Sequence, residues 1–163
     1  KKTNAPIDLQ NRIRACQSDT QQSQPAAYAS RTLLALTIWI STQSRGMAIT
    51  PDRDPQLAPF SERGKALFNQ CVGQLNLSCQ NCHDDNWGKK LGASTIPQGH
   101  PTGYPIYRLE WQAAGSLQRR LRNCMTGVRA EPYAYGAPEM IALELYLMQR
   151  AAGMRLETPA VRP

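Results

Sequence analysis

The run Cys79-Gln-Asn-Cys82-His83 constrains this chain of 163 residues more strongly than any other part of its sequence. Two residues between the cysteines place both thiols on one turn of chain, at the separation that lets each add across a vinyl group of the same haem. The next residue then presents its imidazole to the iron. The motif therefore predicts one c-type haem, bound covalently through Cys79 and Cys82, with His83 as an axial ligand of the iron.

Two other interpretations of the motif are weaker. A Cys-x-x-Cys pair also occurs as a redox dithiol, or as half of a zinc site. A zinc site needs four ligands, usually as two spaced pairs, and the chain has no second Cys-x-x-Cys and only one further histidine, His100. A thioredoxin-like dithiol needs a βαβ pattern, which the sequence does not show.

The second axial position of the iron has two kinds of candidate. Electron-transfer cytochromes commonly use methionine. Met140 lies 57 residues after His83, although methionines in helices more often pack in a core. The other methionines are Met47, Met125, Met148 and Met154. Cys124 ends an arginine-rich turn, 119–124, whose guanidinium groups are expected to lower the pKa of the thiol and favour thiolate. A disulfide or an inert buried thiol is the other fate open to Cys124, so the residues alone leave this ligand undecided.

The cysteine count limits the remaining thiols. Of the five cysteines, two are assigned to haem, which leaves Cys16, Cys71 and Cys124. Three cysteines cannot all pair within the chain, so one stays free, binds metal or pairs with another molecule. If Cys16 bonds to Cys71, Cys124 is the free one, but the sequence alone does not establish that pairing.

Two parts of the chain resemble each other in the same order. Leu9-Gln-Asn-Arg-Ile-Arg-Ala-Cys16 is similar to Leu117-Gln-Arg-Arg-Leu-Arg-Asn-Cys124, and each leads through a polar stretch to an amphipathic helix and then to Gly-Met. The two helices are expected over 31–44 and 138–151. We therefore predict a partial, haem-less cytochrome c-like module over 1–50, a linker over 51–58, and a cytochrome c domain with haem over 59–163.

Shorter signals place the remaining elements. Ser61 is a candidate N-cap for a helix over 61–69, and a further helix is expected within 111–125. The Gly- and Pro-rich stretch 88–105 is expected to be a loop. In the last helix, Pro138 suits the first turn, and the apolar positions Ile141, Leu145 and Met148 follow helical spacing. No run of residues alternates as a strand does, so the predicted fold class is all-α.

The net charge and the length of the apolar runs limit which binding partners and which relation to a membrane the chain can have. A net charge of +7 suits an acidic protein or a small anion, and no nucleic-acid-binding motif accompanies the arginine run. The longest apolar run, 33–40, is too short to span a bilayer. The first residues do not show the pattern of a signal peptide, so we expect a processed protein that opens inside a larger unit.

Several segments together resemble the SoxA subunits of SoxAX cytochromes. They are 73–83 with the haem motif, Ile96-Pro-Gln-Gly-His100-Pro, Gly103-Tyr-Pro-Ile-Tyr-Arg-Leu-Glu-Trp111, Arg119-Arg-Leu-Arg-Asn-Cys124-Met and Ser44-Arg-Gly-Met47. The resemblance covers nearly the whole chain.

The resemblance implies a periplasmic L-cysteine S-thiosulfotransferase. Such a subunit joins thiosulfate oxidatively to a cysteine of the sulfur carrier SoxYZ, and passes two electrons to the small c-type cytochrome SoxX, its partner in a heterodimer. It implies that His83 and Cys124 are the two axial ligands of the iron, that Cys124, often a persulfide in the family, is catalytic, and that Arg120 holds the anionic substrate. The single haem motif implies the monohaem form, with Cys16 as the leftover ligand of a lost haem, free for a disulfide with Cys71.

Helical spacing agrees with the role implied for Arg120. Residues 120 and 124 share one helix face, whereas 119 and 122 share another. Arg120 is therefore the expected neighbour of Cys124, and Arg119 is expected to be a solvated surface charge. The main alternative is a plain periplasmic electron-transfer cytochrome, in which His83 and a methionine such as Met140 ligate the iron.

Overall fold

Six α-helices carry most of the architecture of the residues that the structure describes. The structure is a computed structural model that describes residues 5–52 and 54–163, so residues 1–4 of the predicted first module and Arg53 of the predicted linker lie outside it. The helices are α1 (Leu9–Asp19), α2 (Arg31–Thr42), α3 (Ala58–Asn69), α4 (Cys79–His83), α5 (Leu117–Gly127) and α6 (Pro138–Arg150). Among the described residues, no helix has both the length and the apolar character needed to cross a membrane.

Short strands add two small sheets that the sequence pattern did not predict. Strands β1 (Lys90–Leu91) and β2 (Ser94–Thr95) form a hairpin inside the predicted loop 88–105. Strand β3 (Ile106–Arg108) lies between β4 (Ala113–Gly115), to which it is antiparallel, and β5 (Ala160–Arg162), to which it is parallel. Strands of two or three residues are too short to show an alternating pattern of apolar and polar residues, so periodicity could not predict them.

The predicted N-terminus of α3 is wrong. The helix begins at Ala58 because a 3-10 turn, Pro55–Leu57, runs directly into it, so part of the predicted linker is helical. Ser61 therefore lies inside the helix rather than at its N-cap, and its hydroxyl donates a hydrogen bond to Gln149 on α6.

Helices α3 and α6 cross closely and form the main core. A methyl group added at Gly64 would lie 2.1 Å from the carbonyl oxygen of Ala142, so only glycine permits this approach. The phenyl ring of Phe68 packs edge-on against Tyr146 with 5.4 Å between ring centroids. The buried members of this core are Leu67, Phe68, Ala142, Leu143 and Leu147.

The buried face of α6 differs from the predicted one. Met140, Leu143 and Leu147 are buried, with the spacing of three and four residues that one helix face requires. The apolar positions used for the prediction, Ile141, Leu145 and Met148, are only partly buried. The helix is apolar on more than one side, so periodicity alone could not identify the side that faces α3.

The two regions that resemble each other in sequence also meet in space. The amide of Gly46 donates to the carbonyl of Leu156 at 2.8 Å, and the amide of Gly153 donates to that of Ile49 at 2.9 Å. The donors Gly46 and Gly153 are 107 residues apart, and so are the acceptors Ile49 and Leu156, so each hydrogen bond has the other as its counterpart. Segments 46–49 and 153–156 are thus related by a local two-fold arrangement, while the division into a haem-less module and a complete domain stays a prediction.

A buried polar cluster joins α1 to α5 and α6. Gln118 is 1% exposed, and its side-chain amide donates to Asp8 at 2.7 Å while its oxygen accepts from the amide of Gly136 at 2.8 Å. Burial raises the pKa of Glu144 to about 8, and the nearby charge of Asp8 acts in the same direction. Burial raises the pKa of Asp8 as well. Two carboxyl groups therefore share a site that favours their protonated forms.

The raised pKa of Glu144 predicts a loss of stability with rising pH. The folded chain holds this proton more tightly than the unfolded chain, so the contribution is present below about pH 4.5 and is lost as the pH rises to about 8. We expect Glu144→Gln to remove up to about 5 kcal/mol of this pH dependence. Urea unfolding between pH 4 and pH 9 measures it, with the exposed Glu62→Gln as the control. An identical slope in the wild type and Glu144→Gln would contradict the assignment.

Candidate functional site

The haem motif forms a short helix of its own, α4. Ser78 caps it, with its hydroxyl accepting from the amide of Asn81 at 3.2 Å, and the side chain of Asn81 accepts in return from the amide of Ser78 at 3.0 Å. This capping box fixes the five residues in helical geometry. Cys79 and Cys82 consequently lie about one turn apart, both as free, partly buried thiols.

The imidazole of His83 is held from behind by the loop 96–100. Its Nδ1 lies 2.7 Å from the carbonyl oxygen of Pro97, which can only accept, so Nδ1 carries the proton and Nε2 keeps its lone pair for a metal. Gly99, with φ of +73°, packs against the ring, and a methyl group there would lie 3.2 Å from Cγ of His83. This arrangement fixes the orientation of the ring and leaves Nε2 available to bind a metal.

An ion pair ties the same loop to α4 and α6. The guanidinium of Arg150 lies 2.5 Å from a carboxylate oxygen of Asp84, and it donates to the carbonyl of Gln98 at 3.3 Å. It also lies over the ring of Phe68 at 4.6 Å. Burial lowers the pKa of His100, as does the charge of Arg150, so this histidine favours the neutral form.

Cys124 lies on α5 close enough to the haem-motif thiols to interact with them electrostatically. Burial raises the pKa of Cys79 to about 11, and the charge of a Cys124 thiolate is the second largest cause of this rise. Burial also raises the pKa of Cys124, against the opposing effects of Arg120 and Arg108. The prediction that the pKa of Cys124 is lowered is therefore wrong, because burial outweighs the arginines. The arginines are visible in the sequence, whereas the burial of the thiol is not.

The three arginines of α5 have different surroundings. Arg120 is the charge that acts most strongly on Cys124, as the shared helix face predicted. Arg122 points elsewhere, since it donates to the carbonyl of Tyr133 and lies over the ring of Tyr135 at 4.8 Å. Arg119 is not the solvated surface charge that was expected, because it lies 4.3 Å from the centroid of the Trp111 ring and is partly buried.

Two further residues, Tyr104 and Arg108, belong to this site, and the sequence pattern linked neither of them to Cys124. Burial raises the pKa of Tyr104 to about 12, and both Arg120 and Cys124 act on it electrostatically. Arg108, on β3, acts on Tyr104 and on Cys124. Both residues lie in the segment 103–111 that carries part of the family resemblance, which was the one signal available for them. No local spacing links them to Cys124.

Cys16 and Cys71, the pair considered for a possible disulfide, are not bonded to each other in the structure. Cys16 on α1 and Cys71 after α3 are both free and exposed in the structure. The sulfur of Cys71 is instead within 3.9 Å of the side-chain oxygen of Asn81 on α4. Three thiols outside the haem motif require one to remain unpaired within the chain, but their number does not determine which two are neighbours.

A helical frame that presents Cys-x-x-Cys-His on a capped turn, with the imidazole fixed by a loop carbonyl, defines a cytochrome c domain. The residues fit haem c, since two thiols, an imidazole with Nε2 available to a metal and a third sulfur, that of Cys124, lie in one region. The chain belongs to the SoxA/TsdA cytochrome c domain family, whose model matches residues 1–49 and 63–156. This family binds haem c.

Named relatives agree with this membership. The chain is 36% identical to the L-cysteine S-thiosulfotransferase subunit SoxA of Pseudaminobacter salicylatoxidans over 158 residues. This alignment covers 96% of this chain and 55% of the relative. It is 34% identical over 154 residues to the same subunit of Paracoccus pantotrophus, covering 94% and 53%. The crystal structure of SoxXA from P. pantotrophus superposes with a TM-score of 0.96 at 33% identity, covering all of this chain and 62% of that one. The chain spans just over half the length of these curated relatives. Its likeness to the SoxXA structure confirms the predicted fold class, a helical, cytochrome c-like fold.

The contact between Gly99 and His83 predicts a spectroscopic effect. Gly99→Ala adds a methyl group 3.2 Å from the ring, so the imidazole must tilt or move. We expect an altered haem absorption and paramagnetic resonance spectrum in the purified protein. Gly92→Ala is the matched control, because Gly92 also has a positive φ, +59°, but no atom within 4 Å of the added methyl. Each variant carries about 1 kcal/mol of backbone strain, so equal spectra in both would contradict the role of Gly99.

Proposed function

We propose that the chain is the haem-bearing part of a SoxA-type L-cysteine S-thiosulfotransferase, which conjugates thiosulfate oxidatively to a cysteine of a sulfur-carrier protein. The observation that carries the proposal is the placement of the Cys124 sulfur beside the haem-motif thiols, with the guanidinium groups of Arg120 and Arg108 acting on it. Family membership and the names of the relatives support the same activity.

One haem, held covalently by Cys79 and Cys82, is the proposed cofactor. His83 would hold the iron through Nε2, whose lone pair the Pro97 hydrogen bond leaves available. Cys124 would be the second protein ligand, supported by its electrostatic interaction with both haem-motif cysteines. When bound, the haem supplies a redox-active cationic centre whose potential its ligands set.

The proposed reaction forms one sulfur–sulfur bond in two stages. The sulfur of Cys124 loses its proton and bonds to the terminal sulfur of thiosulfate. The two electrons released pass one at a time to oxidised partner cytochrome, one electron for each oxidised haem. The carrier cysteine, as its thiolate after loss of a proton, then attacks the sulfur bonded to the sulfonate. The Cys124–sulfur bond breaks and the thiolate of Cys124 leaves. The carrier keeps the thiosulfonate, and Cys124 returns to its starting state.

Arg120 is proposed to bind the dianionic substrate. Its guanidinium acts most strongly among the charges on Cys124, so a sulfonate held there keeps the terminal sulfur next to the Cys124 sulfur. A guanidinium also donates in a planar fork that matches two oxygens of a sulfonate. The surrounding burial strengthens this attraction because water screens it less.

Partners and location follow from the same proposal. A SoxX-like small c-type cytochrome is the proposed heterodimer partner and electron acceptor, since the matched crystal structure is of SoxXA. A SoxYZ-like protein is the proposed carrier. The periplasm is the proposed location, because covalent haem attachment of this type takes place outside the bacterial cytosol. The predicted haem-less module over 1–50 remains part of the proposal, and the paired segments 46–49 and 153–156 support it.

The proposed role of Cys124 predicts that its replacement abolishes activity without changing the haem content. Cys124→Ala should keep covalent haem, because Cys79 and Cys82 remain, and should lower conjugation at least about 100-fold, as loss of a nucleophile does. Haem content is measured on the denatured protein, and turnover by the mass of the carrier. Cys71→Ala is the control, as Cys71 is an exposed free thiol. Retained turnover, or the weak red-edge band of methionine ligation in the ferric wild type, would favour the plain electron carrier instead.

The role of Arg120 predicts a defect in substrate handling. Arg120→Ala should lower kcat/KM for thiosulfate about 10- to 100-fold, and Arg120→Lys should recover part of it by restoring the charge without the fork. Steady-state kinetics at fixed carrier concentration measures both. The exposed Arg45→Ala variant controls for loss of one positive charge. Equal kcat/KM in wild type and Arg120→Ala would remove Arg120 from the site.

A further inference from the structure

Arg108 is a buried arginine whose hydrogen bonding is incomplete. It lies on the central strand β3 and is 9% exposed. Its Nε donates to the carbonyl of Pro163 at 2.8 Å, one terminal nitrogen lies 2.6 Å from the carboxylate of Glu110, and the guanidinium lies 5.1 Å from the centroid of the Trp111 ring. The other terminal nitrogen, Nη1, is buried and has no hydrogen-bond partner among the described residues.

An unpaired donor on a buried cation is costly in free energy. Buried side-chain donors are nearly always paired, and an unmet donor on a charged group costs more than one on a neutral group. Three separate contacts nonetheless hold the guanidinium of Arg108 in place, from the C-terminal residue, from Glu110 and from Trp111. A fixed cation with one free donor is typical of a site that binds an anion.

The surroundings of Arg108 indicate where that anion would lie. The charge of Arg108 acts on Cys124 on α5 and on Tyr104, which comes just before its own strand. Arg120 acts on the same two residues. Two guanidinium groups, one from β3 and one from α5, therefore lie close enough to Cys124 to act on it electrostatically.

We propose that Arg108 is a second substrate-binding residue, and that its Nη1 donates to a sulfonate oxygen of thiosulfate held against Cys124. The inference rests on the proposed function and adds a residue to it. Thiosulfate carries two negative charges and three sulfonate oxygens, so two guanidinium groups match its charge and one fork cannot satisfy all its oxygens. Anchoring from two directions fixes the sulfonate and leaves the terminal sulfur to face Cys124. A haem carboxylate is the other source of an anionic oxygen, and the experiment separates the two.

The test uses the full haem-loaded chain with its partner cytochrome and carrier. Arg108→Gln should raise the KM for thiosulfate about tenfold, change kcat less than about threefold, and leave the haem midpoint potential as in the wild type. Inhibition by sulfite, an anion that has the oxygens but lacks the terminal sulfur, should weaken by a similar factor. Arg108→Lys keeps the charge, so its KM for thiosulfate should lie between those of the wild type and Arg108→Gln. If Arg108→Gln does not fold, Arg108→Lys takes its place in the comparison.

Arg119→Gln is the matched control. The guanidinium of Arg119 lies on the same Trp111 ring, at 4.3 Å, so this variant removes the same kind of stacking without removing a charge placed at Cys124. An equal rise in KM for Arg119→Gln and Arg108→Gln would overturn the inference, since loss of stacking would then explain both. A shifted haem potential with an unchanged KM would also overturn it, and would assign Nη1 to a haem carboxylate.

Failure of the proposed function is a separate result. If the wild type does not conjugate thiosulfate, sulfite binding followed by the haem spectrum still tests Arg108 directly. Binding that is about tenfold weaker in Arg108→Gln than in the wild type and Arg119→Gln supports an anion site at Arg108. Equal binding in all three proteins overturns it.

Discussion

The close crossing of α3 and α6 is the constraint on which the rest of the structure depends. Gly64 allows the backbone of α3 to approach the carbonyl of Ala142, and Phe68 fills the space beside it. This contact fixes the start of the segment that leads into α4. It also fixes Arg150 at the end of α6, which lies over Phe68 and binds Asp84 beside the haem motif. The position of the His83 imidazole is thus set by the core rather than by its own short helix.

Burial and charge oppose each other at Cys124. The arginines favour a thiolate there, but the removal of water favours the thiol more strongly, and the balance raises the pKa. Such a site holds its cationic groups in place before any anion arrives, so that a sulfur anion or a sulfonate completes an arrangement that is already present. The sheet of β3, β4 and β5 contributes to this because it brings Arg108 to α5 from a part of the chain that the helical repeat does not include.

Contacts between the first and last parts of the chain connect the site to the rest of the molecule. Gln118, near the start of α5, binds Asp8 ahead of α1, and segments 46–49 and 153–156 pair across a local two-fold. Two carboxyl groups with raised pKa values lie within the first of these contacts. The helix that carries Cys124 is therefore packed against the region 5–52 through a polar, proton-dependent interface, as well as against α6.

The sequence by itself determined the elements whose chemistry is local. Thiols and an imidazole at fixed spacing predict haem without knowledge of the fold, and the spacing of Arg120 and Cys124 on one helix face predicts that they are neighbours. Helices α2 and α6 were placed to within two residues because an apolar pattern of this length has few other interpretations. Only the tertiary structure decided the burial of Cys124, the stacking of Arg119, the free state of Cys16, and the position of Tyr104 and Arg108 at the site. Each of these depends on contacts between residues far apart in the chain, and solvent exclusion is a property of the packed molecule that no short stretch of residues encodes.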